Sequence, residues 1–242
     1  MEWADKGIVI GTRRHGETAV IADLMTREHG RASGLVNGGR GRILRPVLQP
    51  GNRVDAVWRG RLEEHLGTLR VEADRLRAAR IMESAAAVYA LQTLCAHLRL
   101  LPERDAHPVL YDRFDAILDV LHEPAVTGEA VVRFEMALLD EFGFGLDLTR
   151  CAATGALANL VYVSPRTGRA VSSDGGADYA DRLLRLPAFL LPSNAPRAGP
   201  ASVEDIAAGF ALTGHFLHRH VWDPAGIEPP PERERLIATL CG

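Results

Sequence analysis

The chain has 242 residues, 47% of them hydrophobic, and its 28 Lys+Arg against 31 Asp+Glu give a formal net charge of −3. That is enough apolar material for one large domain or two to three small ones, and no charge-free apolar run is long enough to span a bilayer. The three cysteines, Cys95, Cys151 and Cys241, are odd in number and far apart, which speaks against a disulfide framework, and the single lysine, Lys6, removes Schiff-base and phosphate-loop lysine chemistry.

The first residues, "MEWADKGIVIGTRRHGE", lack the basic flank, apolar stretch and cleavage site of a secretory signal, so a cytoplasmic address is expected. Charge is unevenly spread. Through Arg61, eleven basic residues face six acidic ones, which makes this quarter +5 and the remainder −8. A basic first quarter on an acidic body points to an anionic partner at one end, the competing reading being arginines paired with nearby acids.

The first 75 residues read as strands. "KGIVIGTRR", "TAVIADLMT", "GRASGLVNGG", "NRVDAVWRG" and "LEEHLGTLRVEAD" are short and β-branched, separated by turn signals such as "HGE", "REHG" and "QPG". Five short strands with a basic face predict a small barrel of the OB-fold kind, although strand count alone does not separate it from an SH3-like barrel. Trp58, ending the alternating "VDAVWRG", is expected in its core rather than as a base-stacking platform.

From about residue 76 the period becomes helical. One long helix is predicted over "LRAARIMESAAAVYALQTLCAHLRLL", with Cys95 as a core residue. Two more follow over "HPVLYDRFDAILDVLHE" and "TGEAVVRFEMALLDEFG", the last closed by Gly143. A small insertion at about 148–178 comes next, then a linker, "LPSNAPRAGPAS". The chain ends in a helix capped by Ser202 over "VEDIAAGFALTGHFLHRHVW" and a proline-started helical turn in "PPPERERLIATLCG".

Candidate functional residues cluster in the basic quarter. In "NGGRGRILRP" paired glycines allow close approach to another backbone, and Arg40, Arg42 and Arg45 supply guanidinium forks suited to phosphate oxygens. Arg13, Arg14 and Arg31 are further candidates, but strand alternation puts Arg13 and Arg14 on opposite faces unless a bulge intervenes. In "HFLHRH", His215 and His218 share a helix face with His220 close behind. A metal-dependent hydrolase using His215, His218 and nearby acids is the enzyme alternative, against a reading as helix-surface or core histidines; a partner-binding adaptor with weak DNA binding is the other alternative. Asp112, Asp115 and Asp119 read as one solvated helix face. The stretch "CAATGALANLVYVSPRTGRAVSSDGG" has the outline of a zinc knuckle around a hairpin, yet holds one cysteine.

Taken in order, "GIVIGTRRHGETAVIADLMTREHGRASGLVNGGRGR", then "LQPGN", then "CAATGALANLVYVSPRTGRAV" after a helical body, the chain resembles the RecO family of bacterial recombination mediators. The resemblance covers essentially the whole chain. It implies an α+β multidomain protein: a five-stranded OB-fold barrel at 1–75, then a helical domain at 76–242 with a zinc-finger-like insertion at about 148–178. It also implies binding of single- and double-stranded DNA, annealing of complementary strands, and loading of RecA, with RecR, onto DNA covered by single-strand-binding protein. RecF is a further functional partner, and a nucleoid-associated location follows. In cysteine-complete members the module reads C-x2-C, spacer, C-x2-C; Cys151, Thr154, Ser172 and Gly175 stand at those positions here. Threonine, serine and glycine are poor or absent zinc ligands, so the module is expected to be degenerate, with no metal and no other cofactor. An arginine-bearing groove for the acidic tail of the single-strand-binding protein is expected in the helical body, with Arg113 and Arg133 as candidates.

Overall fold

The structure, a computed structural model, describes residues 1–62, 66–191 and 199–242. Most of the linker expected at 191–202, and Glu63–His65 in the fifth strand segment, lie outside the described residues. The protein is α+β and divides into two compact units, Met1–His122 and Glu123–Gly242.

The first unit begins with strands β1 (Glu2–His15), β2 (Ala19–Thr26) and β3 (Arg31–Val36), a helical turn α1 (Leu44–Val47), and strands β4 (Arg53–Arg59) and β5 (Thr68–Arg75). The strands close into a barrel in the order β1-β2-β3-β5-β4. Long antiparallel ladders join β1 to β2 and β4, β2 to β3, and β4 to β5, whereas β3 and β5 meet in parallel through a single pair, Leu35 and Thr68. Period-two alternation sends Val20, Ala22 and Leu24 of β2, Val54, Ala56 and Trp58 of β4, and Leu69 and Val71 of β5 into one core.

Trp58 is buried as expected, its indole N–H shared between the Ser33 and Leu66 carbonyls at 3.2 and 3.3 Å. Gly67 makes room for it. Its φ of +59° suits glycine, and a Cβ there would lie 2.4 Å from the indole. A bulge between Val9 and Gly11 in β1 turns the Ile10 carbonyl outward, where Arg99 donates to it.

Helices α2 (Ala78–Ile81), α3 (Ala85–Leu98) and α4 (Pro108–Val120) complete this unit. The single long helix expected from residue 76 is therefore two, because Ser84 is extended and caps a new helix through the Ala87 N–H. Asn52, from "LQPGN", is buried and fully engaged. Its Oδ1 accepts the N–H groups of Arg77 and Ala78 at 2.8 and 2.9 Å, and its Nδ2 donates to the Pro46 and Val47 carbonyls.

The second unit runs α5 (Pro124–Glu141), β6 (Leu160–Val163), β7 (Ala170–Ser172), α6 (Ser173–Gly176), β8 (Leu184–Arg185), α7 (Val203–Leu217), a wide π turn at His218–Trp222, α8 (Asp223–Ala225) and α9 (Pro231–Cys241). Pro124 opens α5 rather than merely following α4, since proline suits the first helical position. Strands β6 and β7 form the expected hairpin. Its turn closes by Gly168 N–H to Ser164 carbonyl, and β8 adds a third strand in the order β7-β6-β8. Leu160 and Val163 are buried in it, whereas Val161 is exposed.

The core of this unit holds a charge. Glu135 of α5 is fully buried and receives both forks of Arg233 of α9 at 2.8 and 3.0 Å, together with the Thr213 hydroxyl. Arg233 also donates to the Phe210 carbonyl at 2.8 Å and lies over the rings of Phe210 and Trp222. Among the described residues, no helix is long and apolar enough to cross a membrane.

Candidate nucleic-acid interface

The six arginines singled out in the basic quarter divide into three groups. Arg14, Arg40 and Arg45 converge on one cleft of about 250 Å3, with Thr12, Val20 and Gln49 in its walls. Arg14 reaches it because it lies opposite Val20 in the β1–β2 ladder; Arg13, opposite Ile21, is directed to the other face. Arg40 is fixed by its own backbone bond to the Thr18 carbonyl and by guanidinium bonds to the Gly16 and Glu17 carbonyls, which tie the 38–43 loop to the β1–β2 turn. Arg45 enters from α1. Arg13 and Arg42 are exposed outside this cleft. Arg31 sits elsewhere: it is half-buried, paired with Glu103 at 3.2 Å and donating to the Leu101 carbonyl.

Why the basic excess is concentrated at this end follows from α4. Asp112, Asp115 and Asp119, read from the sequence as a solvated face, are ion-paired instead. Asp112 takes both forks of Arg27 at 3.0 and 3.1 Å, Asp115 takes Arg53 and Arg77, and Asp119 takes Arg77 and Arg75, each at 2.7 Å. Lys6 bridges Asp55 and Asp74, and Arg53 also reaches Asp74. The Asp74 carboxyl is held below its ordinary range by the bonds from Arg53 and Lys6. For Asp119, partial burial pushes upward but is outweighed by Arg77, Arg75 and Arg53, so its net shift is also downward. Among the described residues, Arg13, Arg14, Arg40, Arg42 and Arg45 carry no such counter-charge, so their positive charge is not neutralised by a protein carboxylate.

A larger groove of about 790 Å3 runs over the β3–β5 seam, but Glu2, Asp55 and Glu72 line it beside Arg59 and Arg70, a mixed field poorly suited to a phosphate chain. The N-terminal aromatics are occupied. Trp3 stacks on His29 at 4.4 Å and on Trp58 at 6.0 Å, and His29 is in turn bonded to Asp5.

The positions singled out beyond the barrel fall into three groups. Cys151 is buried, and its sulfur accepts the Thr154 N–H at 3.4 Å and the Ser172 N–H and hydroxyl at 3.2 and 3.3 Å. Burial pushes the thiol up, but the donors of Ser172 and Thr154 prevail and bring it down to about 6. The three histidines go to different partners. His215 meets the Pro165 carbonyl at 3.0 Å, His218 faces Asp223 at 3.6 Å, and His220 stacks between Phe144 and Phe216. They serve as packing and turn anchors, and among the described residues no group of three metal-ligating side chains converges. This arrangement gives the hydrolase reading no support. Of the two groove candidates, Arg113 is exposed, and Arg133 is bonded to Glu129 and the Phe189 carbonyl.

Comparison with known proteins fits the order of these elements. The model for the Recombination protein O N terminal matches residues 1–74, and that for the Recombination protein O C terminal matches 81–225. A DNA repair protein RecO of Mesorhizobium japonicum is 57% identical over 240 residues, covering 99% of this chain and 94% of that protein. Its counterparts in Rhizobium etli and Sinorhizobium medicae are 56% and 55% identical, covering 98% and 99% of this chain and 91% and 95% of theirs. With both halves matched and more than half of the residues shared along nearly the whole length, the chain belongs to the RecO family of DNA repair and recombination proteins.

Proposed function

We propose that this protein is a non-enzymatic recombination mediator that grips the phosphate backbone of single- and double-stranded DNA at the barrel end carrying Arg14, Arg40 and Arg45. Arg42 and Arg13, exposed outside that cleft and Arg13 on the other face of β1, are further candidate phosphate contacts, whereas Arg31 is paired with Glu103. The observation that carries the reading is the convergence on one cleft of three guanidinium groups without a carboxylate partner among the described residues, while α4 neutralises Arg27, Arg53, Arg75 and Arg77. The β1-β2-β3-β5-β4 order, with β1 paired to both β2 and β4, supports assignment of the barrel at 1–75 as an OB-fold. Residues 76–242 form the helical domain in this reading, with the degenerate zinc-finger-like module at about 148–178.

With its aromatics stacked on protein partners, the site binds mainly by charge and with little sequence preference. Neutralising phosphates on two strands lowers the repulsion that slows their pairing and leaves base edges free, which is the physical basis of annealing. Family membership supports partnership with RecR, RecF, RecA and the single-strand-binding protein, and a cytoplasmic, nucleoid-associated site of action.

The test is the Arg14→Ala/Arg40→Ala/Arg45→Ala variant, titrated with single-stranded DNA across a salt series. Each lost phosphate contact lowers the log–log slope by about 0.7, so a fall of about 2 is expected, with strand annealing lost in parallel. An unchanged slope would remove the cleft from the reading. Turnover abolished by His215→Ala would favour the hydrolase instead.

A further inference from the structure

We infer that the 148–178 segment is held shut by a hydrogen-bond cluster centred on Cys151 Sγ, which performs the closing role that a bound metal performs in a zinc module. The inference rests on the zinc-finger-like reading of this segment and on no DNA activity, so the two succeed or fail separately.

Two turns of matching form build the cluster. In the first, the Cys151 sulfur accepts the backbone N–H of Thr154, three residues on, at 3.4 Å; in the second, the Ser172 hydroxyl accepts that of Gly175, again three residues on, at 3.2 Å. Each turn thus keeps the backbone wrap that would bring a first and a second ligand to one point. The turns are joined to each other by the Ser172 N–H and hydroxyl on Sγ and by a 3.5 Å contact between the Thr154 and Ser172 hydroxyls. Gly175 completes the geometry. A Cβ there would lie 3.0 Å from Cys151 Sγ, 3.1 Å from Ser172 Oγ and 3.2 Å from Thr154 Cγ2, so all four positions face one spot.

The donor set does not fit zinc. A structural site needs four nitrogen, sulfur or carboxylate ligands at about 2.0–2.3 Å, and this one offers a single sulfur, two neutral hydroxyls and a glycine. What it offers in place of coordination is satisfaction of a buried sulfur by three donors, on a segment that backbone bonds also tie together. Among them, Cys151 N–H meets the Ala156 carbonyl and Ala152 N–H the Ala170 carbonyl. The scaffold persists without its ligands because the two turns and the bonds that join them at Sγ, and not a metal, hold the four positions together.

Two measurements on the full chain test this. Thr154→Cys/Ser172→Cys/Gly175→Cys should bind one zinc per chain by elemental analysis and take up cobalt(II) with the absorption of a tetrahedral thiolate site. The wild type, purified alongside, should hold no stoichiometric zinc and melt identically with and without chelator. Independently, Cys151→Ala should speed hydrogen exchange at the Thr154 and Ser172 amides by about tenfold or more, with Cys151→Ser partly restoring protection. Tightly held zinc in the wild type would overturn the inference, as would a folded triple-cysteine variant that binds no metal. Should that variant fail to fold, unchanged exchange in Cys151→Ala is by itself enough to sink it.

Discussion

Glu135→Gln isolates the buried charge of the second unit with almost no change in volume. In the wild type the fully buried carboxylate neutralises Arg233, itself only 7% exposed, through two bonds of 2.8 and 3.0 Å. The amide removes that neutralisation and leaves a buried cation, and breaking a buried pair from one side costs about 3–5 kcal/mol. Here Arg233 keeps the Phe210 carbonyl at 2.8 Å and the rings of Phe210 and Trp222 at 5.1 and 5.7 Å, and the glutamine oxygen still accepts one N–H. The expected loss is therefore near the lower end, about 3 kcal/mol, or about 10 °C in the melting of the Glu123–Gly242 unit. Calorimetry and urea unfolding of the full chain read it. Replacing both partners, Glu135→Leu/Arg233→Met, should cost much less than either single change, because no charge is then stranded. A loss below about 1 kcal/mol for Glu135→Gln, or a double variant as weak as the singles, would refute the assignment of this pair as the lock on α9.

Two further outcomes concern the first unit. Gly67→Ala combines left-handed backbone strain with a Cβ 2.4 Å from the Trp58 indole, so a loss of at least about 2 kcal/mol and altered tryptophan fluorescence are expected; a variant as stable as wild type would contradict the packing described. Asp74→Asn/Asp119→Asn bears on acid stability: both carboxyls titrate lower folded than unfolded, so their contribution is complete above the unfolded value of about 3.9 and is lost as pH falls through the folded value. The difference in urea midpoint between wild type and variant should thus be present at neutral pH and shrink below pH about 4, and a gap independent of pH would count against the clamp.

Much of the framework was legible because its signals are local. Alternation and turn residues marked the five strands, and Ser202 and Gly143 marked helix ends. Ser84 carried a legible signal too, a capping serine before an alanine run, yet continuous apolar content masked it and two helices read as one. The interface was half legible. Arg40 and Arg45 stood out beside paired glycines, but nothing near Arg31 in sequence foretells Glu103, and nothing near Asp112, Asp115 or Asp119 foretells Arg27, Arg53 and Arg77. Partners 35 or more positions away leave no periodic trace, so a helix face that looks solvated and one that clamps a barrel have the same pattern.

The single β3–β5 rung gives the barrel an unequal architecture in time. The β1–β3 meander and the β4–β5 hairpin assemble from sequence neighbours, and seven residue pairs between β1 and β4 repay the long loop closure that joins them. Leu35 and Thr68 then meet at little entropic cost and with little reward. The topology is that of a rolled sheet with a seam, and opening along that one line would leave its four ladders whole.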